Sequence, residues 1–362
     1  MKQAAAGPTG AAVFHLHPLR RCNLECGHCY SNSSPQATDC LSLEQVSAAV
    51  RQAAVWGYER LAISGGEPLL YPWLDEVVSL GADLGMKTAL ITNGLLVSQR
   101  QNMDILRRID TVAVSIDGLS ASHDAMRQRP RAFASVLRAL DMLRSAGIDF
   151  SIICGVSNDN LDETEELAAL ACQAGAQALQ LHPIAAAGRA RHNLTHALLG
   201  DEDATLLYVS GQLLGAEYAG RMGVHTDLVH RQTVAAHPAI IYACDHAPDP
   251  GNALPADLLG VLVLEPDGVV NPVCFGFSPF YSLGNILQQP LAGMWQPWLQ
   301  SGYQRLGNLG HHLLAEIKQD AGPAVFNPSD IMCRASYQLA AKQLPASLAG
   351  RTIPIACEAP SK

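Results

Sequence analysis

Cys22, Cys26 and Cys29 lie in one short run, Arg21-Cys22-Asn23-Leu24-Glu25-Cys26-Gly27-His28-Cys29-Tyr30. Three thiolates at C-x3-C-x2-C spacing can hold three irons of a cubane iron–sulfur cluster. A full cysteine set is four, so the fourth iron stays open to a small molecule. Two other chemistries suit the same residues. With His28 they could form a Cys3His zinc knuckle, or they could be buried thiols. Zinc sites usually pair two such clips, and no second C-x2-C occurs in the chain.

A second cluster of informative residues is Leu61-Ala62-Ile63-Ser64-Gly65-Gly66-Glu67-Pro68. An apolar run ending in two glycines, an acid and a proline predicts a strand entering a tight turn, with a helix restarting near Tyr71 to Gly85. The glycines let backbone approach a ligand closely, and a carbonyl or carboxylate there can accept from a ligand ammonium. An ordinary strand-end turn would use the same residues.

Taken in order, the cysteine triplet and the Gly-Gly-Glu-Pro turn resemble the radical S-adenosylmethionine (radical SAM) superfamily. The resemblance implies that Cys22, Cys26 and Cys29 hold a [4Fe–4S] cluster. Its open iron would bind the amino and carboxylate groups of SAM, and one electron would cleave SAM to a 5′-deoxyadenosyl radical. Gly65, Gly66, Glu67 and Pro68 would hold the SAM amino group. Further polar residues fall at predicted strand ends: Thr92-Asn93-Gly94, Ser115-Ile116-Asp117-Gly118 followed by His123 to Arg127, Asn158, and Gln180 to His182 before Gly188-Arg189-Ala190. Each alone reads as a turn or cap. Their order resembles the peptide- and protein-modifying branch of the superfamily. By that resemblance Ser115 touches the SAM ribose, Arg127 pairs with its carboxylate as guanidinium suits, and His28 lies beside the adenine. Tyr30, Asn93, Gln180 and Leu181 complete the expected cofactor-binding set.

The elements that must position these residues follow one rhythm. Short apolar runs at Val13–His17, Leu61–Ser64, Thr88–Thr92, Thr111–Ile116, Asp149–Val156 and Ala178–Pro183 alternate with amphipathic stretches at Leu43–Trp56, Trp73–Leu84, Ser98–Arg108, Ala134–Ala146 and Leu161–Ala174. Near-continuous apolar runs suit strands buried on both faces, and alternation with helices argues a parallel sheet. Six units are too few for a closed eight-unit barrel. The expected fold is α/β, a partial (β/α)6 TIM-like barrel with a smaller C-terminal α+β extension. The resemblance covers about residues 12–200. The expected divisions are a flexible 1–11, a core 12–200, a helical bridge 201–243 and an extension 244–362.

After Arg189 the rhythm breaks. His192–Ala219 reads as a helical bridge, His225–Pro238 is histidine-rich, and Asp245–Pro255 reads as a loop. Leu259–Leu264 and Val269–Val273 around Glu265-Pro266-Asp267-Gly268 predict a hairpin, with Cys244 before it and Cys274 after it. Leu283-Gly284-Asn285-Ile286 then leads to a helix over Leu291–Leu299. This order resembles the SPASM/twitch extension of radical SAM peptide maturases, which carries auxiliary clusters. The C-x2-C-x5-C run of a full SPASM domain is missing. Cys244, Cys274, Cys333 and Cys357 are the number one cubane needs, so the expectation is one auxiliary [4Fe–4S] cluster. The other reading is a degenerate domain with stray thiols. Cys40, Cys154 and Cys172 read as structural.

Composition sets limits on function. The chain has 362 residues, 48% of them apolar, enough for one large domain or two ordinary ones. Its net charge of −9 carries no basic stripe for nucleic acid. No stretch has the length and apolarity of a membrane span, and the start lacks a secretory signal's apolar core. Ten cysteines without such a signal suit a reducing cytoplasm and metal ligation.

His15-Leu16-His17-Pro18-Leu19-Arg20 before the triplet and Tyr30-Ser31-Asn32-Ser33-Ser34-Pro35 after it resemble radical SAM enzymes acting on ribosomally made precursor peptides. The implied activity is crosslinking, epimerisation or splicease-type excision, with an electron donor and a separate peptide-recognition protein as further partners. Two alternatives stand beside it. One is a maturase of a haem-like or quinone cofactor. The other is a non-catalytic metal- or peptide-binding protein on the same scaffold.

Overall fold

The computed structural model describes residues 11–243, 253–319 and 322–343. The six expected strands are present: β1 (Val13–Leu16), β2 (Arg60–Ile63), β3 (Lys87–Thr92), β4 (Thr111–Ser115), β5 (Phe150–Val156) and β6 (Ala178–Pro183). They lie side by side in chain order and every neighbouring pair is parallel. Leu61, Ile63, Leu90, Val112, Val114, Ile152 and Leu179 are fully enclosed, which is why these runs read as nearly continuous apolar segments.

The covering helices are α1 (Leu43–Val55), α2 (Leu74–Asp83), α3 (Arg100–Leu106), α4 (Ser120–Arg127), α5 (Ala132–Ser145) and α6 (Thr164–Ala174). Local sequence sets their ends. Ser42 and Gln45 form a reciprocal capping box at the start of α1, and the stripe Val46, Ala49, Val50, Ala53 faces the sheet. Gly175 closes α6 in the left-handed region at φ +89°. The helix expected near Tyr71 starts at Leu74, after a single 3-10 turn over Pro68–Leu70.

The chain beyond residue 189 departs from the sequence reading. The bridge is two helices, α7 (Ala190–Asn193) and α8 (Asp201–Glu217), followed by a seventh parallel strand, β7 (Gly223–Thr226), on the β6 edge. β8 (Val229–His230), α9 (Arg231–Ala236) and α10 (Pro255–Leu258) follow. The expected hairpin forms as β9 (Val261–Leu264) and β10 (Val269–Pro272), and β11 (Gly284–Asn285) adds to it. β9 also pairs in parallel with β1, Val13 opposite Val261 and Leu16 opposite Leu264. The described residues thus form one open ten-stranded sheet, β11-β10-β9-β1-β2-β3-β4-β5-β6-β7. Neither end of the core sheet stops at residue 200. The helix read at Leu291–Leu299 is a 3-10 turn followed by the 24-residue α11 (Trp295–Lys318). β12 (Val325–Phe326) pairs with β8, and α12 (Pro328–Gln343) packs against α11.

Candidate active site

Parallel α/β sheets gather function at the C-terminal ends of their strands. The loop after β1 carries Cys22, Cys26 and Cys29 there. Cys22 and Cys26 are each 7% exposed and pack with Leu24, while half-buried Cys29 and Leu95 close the recess. The three thiols are free of disulfides, and Cys29 is close enough to raise the proton affinity of both Cys22 and Cys26. Burial pushes Cys22 up to about 12 and raises Cys26, opposed at Cys26 by the Arg127 guanidinium. Such thiols stay protonated until a metal takes them as thiolates. Among the described residues no three His, Cys, Asp or Glu side chains share the geometry of one ion. A cubane spreads its thiolates over separate irons, so this donor set fits a cluster with three cysteine ligands.

The Gly-Gly-Glu-Pro turn is the support of that loop. Gly65 has φ +118°, and a Cβ there would lie 2.7 Å from the Leu19 carbonyl oxygen. A Cβ at Gly66 would lie 2.0 Å from the Arg21 carbonyl oxygen. Beside the expected room for a ligand, these glycines have a structural reason: the chain's own backbone at Leu19 and Arg21, just before Cys22, fills the space where their Cβ atoms would stand. Gly66 N–H donates to Leu19 O and Glu67 N–H to Arg21 O, both at hydrogen-bond distance (2.9 and 3.0 Å).

Glu67 is fully buried and its carboxylate accepts from Thr92 Oγ1 (2.8 Å), Asn93 N (2.9 Å) and Leu69 N (3.2 Å). Burial pushes it up to about 7 against the pull of those donors. It joins the turn after β2 to the end of β3. Asn93, so placed, donates from Nδ2 to Asn23 Oδ1 at 2.7 Å and meets Cys22 Sγ at 3.8 Å. Pro68 is buried in the 3-10 turn.

On the opposite side of the triplet, Arg127 Nε lies 2.7 Å from Asp117 Oδ2 and its Nη1 lies 3.8 Å from Cys26 Sγ. His28 Nε2 lies 3.5 Å from the same Asp117 oxygen. Desolvation lowers His28 to about 4, so its ring is neutral, and Nδ1 has no partner. Asp117 is held below the ordinary carboxylate range by Arg127 and His28, which overcome its burial. The sequence reading gave Arg127 a ligand role and passed over Asp117, its internal partner. Ser115, half-buried, ends β4 two residues before it.

Tyr30 meets Phe275, just beyond the β9–β10 hairpin, with ring centroids 5.1 Å apart, and both contact His17. Gln180 donates to Asp227 Oδ1 at 2.8 Å, and Leu181 is fully buried in β6. The loop after β6 fastens the cysteine loop. Arg189 Nε donates to Cys26 O (2.8 Å), its Nη2 donates to Ser33 O (2.7 Å), and its N–H donates to Cys29 O (2.9 Å). The sequence signalled this residue only as part of Gly-Arg-Ala.

Of the four C-terminal cysteines, Cys274 and Cys333 meet in thiol–thiol contact, and Cys333 also reaches Gly276 O at 3.5 Å. Cys244 and Cys357 lie outside the described residues. No helix among the described residues is long and apolar enough to cross a membrane.

Residues 16–171 match the family model described as Radical SAM superfamily. The chain is 36% identical over 173 residues to the AdoMet-dependent heme synthase of Methanosarcina barkeri, covering 46% of this chain and 49% of that protein. It is 28% identical over 279 residues to the antilisterial bacteriocin subtilosin biosynthesis protein AlbA of Bacillus subtilis, covering 76% of this chain and 57% of that one. The chain thus spans about half the length of these curated relatives. Its fold resembles that of Streptococcus suis SuiB bound to S-adenosylmethionine, with TM-score 0.63 and 15% identity over 83% of this chain and 68% of that chain.

Proposed function

We propose, from the match of residues 16–171 to the radical SAM family model, that the protein modifies a ribosomally made precursor peptide by radical SAM chemistry. Cys22, Cys26 and Cys29 would hold the [4Fe–4S] cluster. A cluster bound there supplies the electron that cleaves SAM to a 5′-deoxyadenosyl radical. The chain's own contribution is placement. The turn at Gly65–Gly66 fixes the backbone before Cys22, and Glu67 ties Asn93 beside it. Arg127, fixed by Asp117, presents its remaining N–H groups next to Cys26, where a SAM carboxylate would be gripped by charge-assisted bonds. Neutral His28 offers a flat face for adenine, and Ser115 a hydroxyl for ribose. Tyr30 and Phe275 restrict water at the mouth.

The observation that carries the peptide reading is the reach of the AlbA match. It runs over 279 residues, well past the shared domain, whereas the heme synthase match stops at 173. The C-terminal contact of Cys274 with Cys333 supports one auxiliary cluster completed by Cys244 and Cys357. An electron donor and a separate peptide-recognition protein would complete the system.

The test is anaerobic reconstitution with iron and sulfide, then SAM and a chemical reductant with a panel of short synthetic peptides, including any encoded beside this chain's gene, and in parallel with an iron porphyrin. The expected result is 5′-deoxyadenosine together with a mass change confined to the peptide. Absence of 5′-deoxyadenosine refutes the radical reading. Its formation with an unchanged peptide and a converted iron porphyrin places the protein with the heme synthases.

A further inference from the structure

At the C-terminal end of β6, two strands from the Asp117 site at the end of β4, a second polar group is assembled from distant parts of the chain. His182 Nδ1 is paired with Asp227 Oδ2 in the turn after β7. The other Asp227 oxygen accepts from Gln180 Nε2 at 2.8 Å. Both Asp227 oxygens are thus committed, and the ring is oriented as in a His–carboxylate dyad. Among the described residues His182 Nε2 has no hydrogen-bond partner. Asp330, on α12, stands close enough for its charge to act on both His182 and Asp227, and among the described residues its carboxyl has no hydrogen-bond partner. β6, the turn after β7 and α12 thus bring an oriented His–carboxylate pair and a further carboxylate within electrostatic reach of one another.

The charges named on this wall sum to a net negative one. An imidazolium at His182 is offset by Asp227, with Asp330 and Asp117 adding negative charge and Arg334 positive charge nearby. A carboxylate or phosphate ligand would be repelled. A neutral group bearing both an acceptor and a donor fits, and a peptide amide is such a group.

We propose that His182 and Asp330 form a peptide-backbone clamp, His182 Nε2–H donating to a substrate carbonyl and the Asp330 carboxylate accepting from a substrate amide N–H. Asp227 and Gln180 are positioning residues that act through His182. This assignment rests on the peptide reading above and deepens it by naming where the backbone is held.

The clamp carries a pH signature. Asp227 raises His182 against the lowering effect of burial, so the imidazolium persists to higher pH than in a free histidine. Burial pushes Asp330 up to about 6, countered by Arg334. Both partners are in their working form only between those limits. Peptide affinity should rise as pH climbs through about 6 and fall as His182 loses its proton.

The experiment uses the reconstituted enzyme and a fluorescently labelled copy of the peptide that it modifies in the test above. Losing a hydrogen bond to a charged group weakens binding by about tenfold or more. His182→Gln and Asp330→Asn should each raise Kd and KM by about that factor with a much smaller change in kcat. NMR of the His182 ring needs no peptide: Asp227→Asn should move its titration to lower pH. Unchanged Kd in both clamp variants, or a His182 that titrates as a free histidine in wild type and Asp227→Asn alike, overturns the proposal. Failure of the peptide reading would show differently, as no mass change on the peptide with any form of the enzyme.

Discussion

Arg127 Nε and Asp117 Oδ2 stand 2.7 Å apart with side chains only 10% and 2% exposed, directly beside Cys26. Neither charge has water to fall back on. Removing one partner of a buried pair leaves the other uncompensated, which costs about 3–5 kcal/mol. Asp117→Asn should lower stability by about that amount in denaturant unfolding. Arg127→Lys should weaken SAM, since an ammonium lacks the planar fork that reaches Asp117 and Cys26 together. Equilibrium dialysis with labelled SAM is the check; unchanged affinity would move the SAM carboxylate elsewhere.

The cysteine triplet predicts a metal count. Replacing Cys22, Cys26 and Cys29 with Ala should remove about four irons per chain and abolish 5′-deoxyadenosine formation. Robust formation by the triple variant would refute the assignment.

Gly66→Val separates the two roles of the turn, packing against the cysteine loop and leaving room for a ligand. The added Cβ would stand 2.0 Å from Arg21 O, against backbone that cannot swing away. The expected outcome is displacement of the cysteine loop, read as poor iron loading even before SAM is added. Normal loading with loss of SAM binding alone would leave only the ligand-space role.

The Glu67 carboxylate accepts from three donors, Leu69 N, Thr92 Oγ1 and Asn93 N. Glu67→Gln sets an amide N–H2 against one of those donors and should cost about 1–3 kcal/mol. Thermal unfolding measures this, and the visible spectrum of the loaded protein shows whether Cys22 has moved with Asn93.

The C-terminal cysteines predict a second count. With an auxiliary cubane the wild type should hold about eight irons, and Cys274→Ala with Cys333→Ala should lower that to about four. A wild-type count near four would mean a C-terminal region that shapes the substrate channel without metal.

Much of this arrangement is legible in the sequence because its causes are local. Runs such as Thr88–Thr92 are apolar because both faces of their strands are covered. Ser42 and Gln45 announce α1 by a reciprocal cap. The reason for Gly66 is not legible, because its neighbour Arg21 lies far back in the chain and only the sheet brings them together. Asp117 looks like a turn residue until Arg127 is folded onto it. β7 escaped notice because Gly-Val-His-Thr is four residues with one buried apolar side chain. α11 contains Pro297, Gly302, Gly307 and Gly310, which blur its helical period. Gly310 is small because Ile241 O stands 2.2 Å from where its Cβ would be.

The hold of Arg189 on Cys26 sets a clock for cluster assembly. The two residues are 163 apart in the chain. At a synthesis rate of about 5–20 residues per second, the cysteine loop leaves the ribosome on the order of 10–30 s before the arginine that fastens it. Through that interval the three thiols are exposed and unshaped, open to oxidation and to stray metals. Iron delivered then would meet a loose loop, and iron delivered later meets one already closed around its ligands. The protein's yield of correctly metallated chains is thus tied to when iron and sulfide arrive relative to the completion of β6, and slowing translation between residues 30 and 190 should lower it.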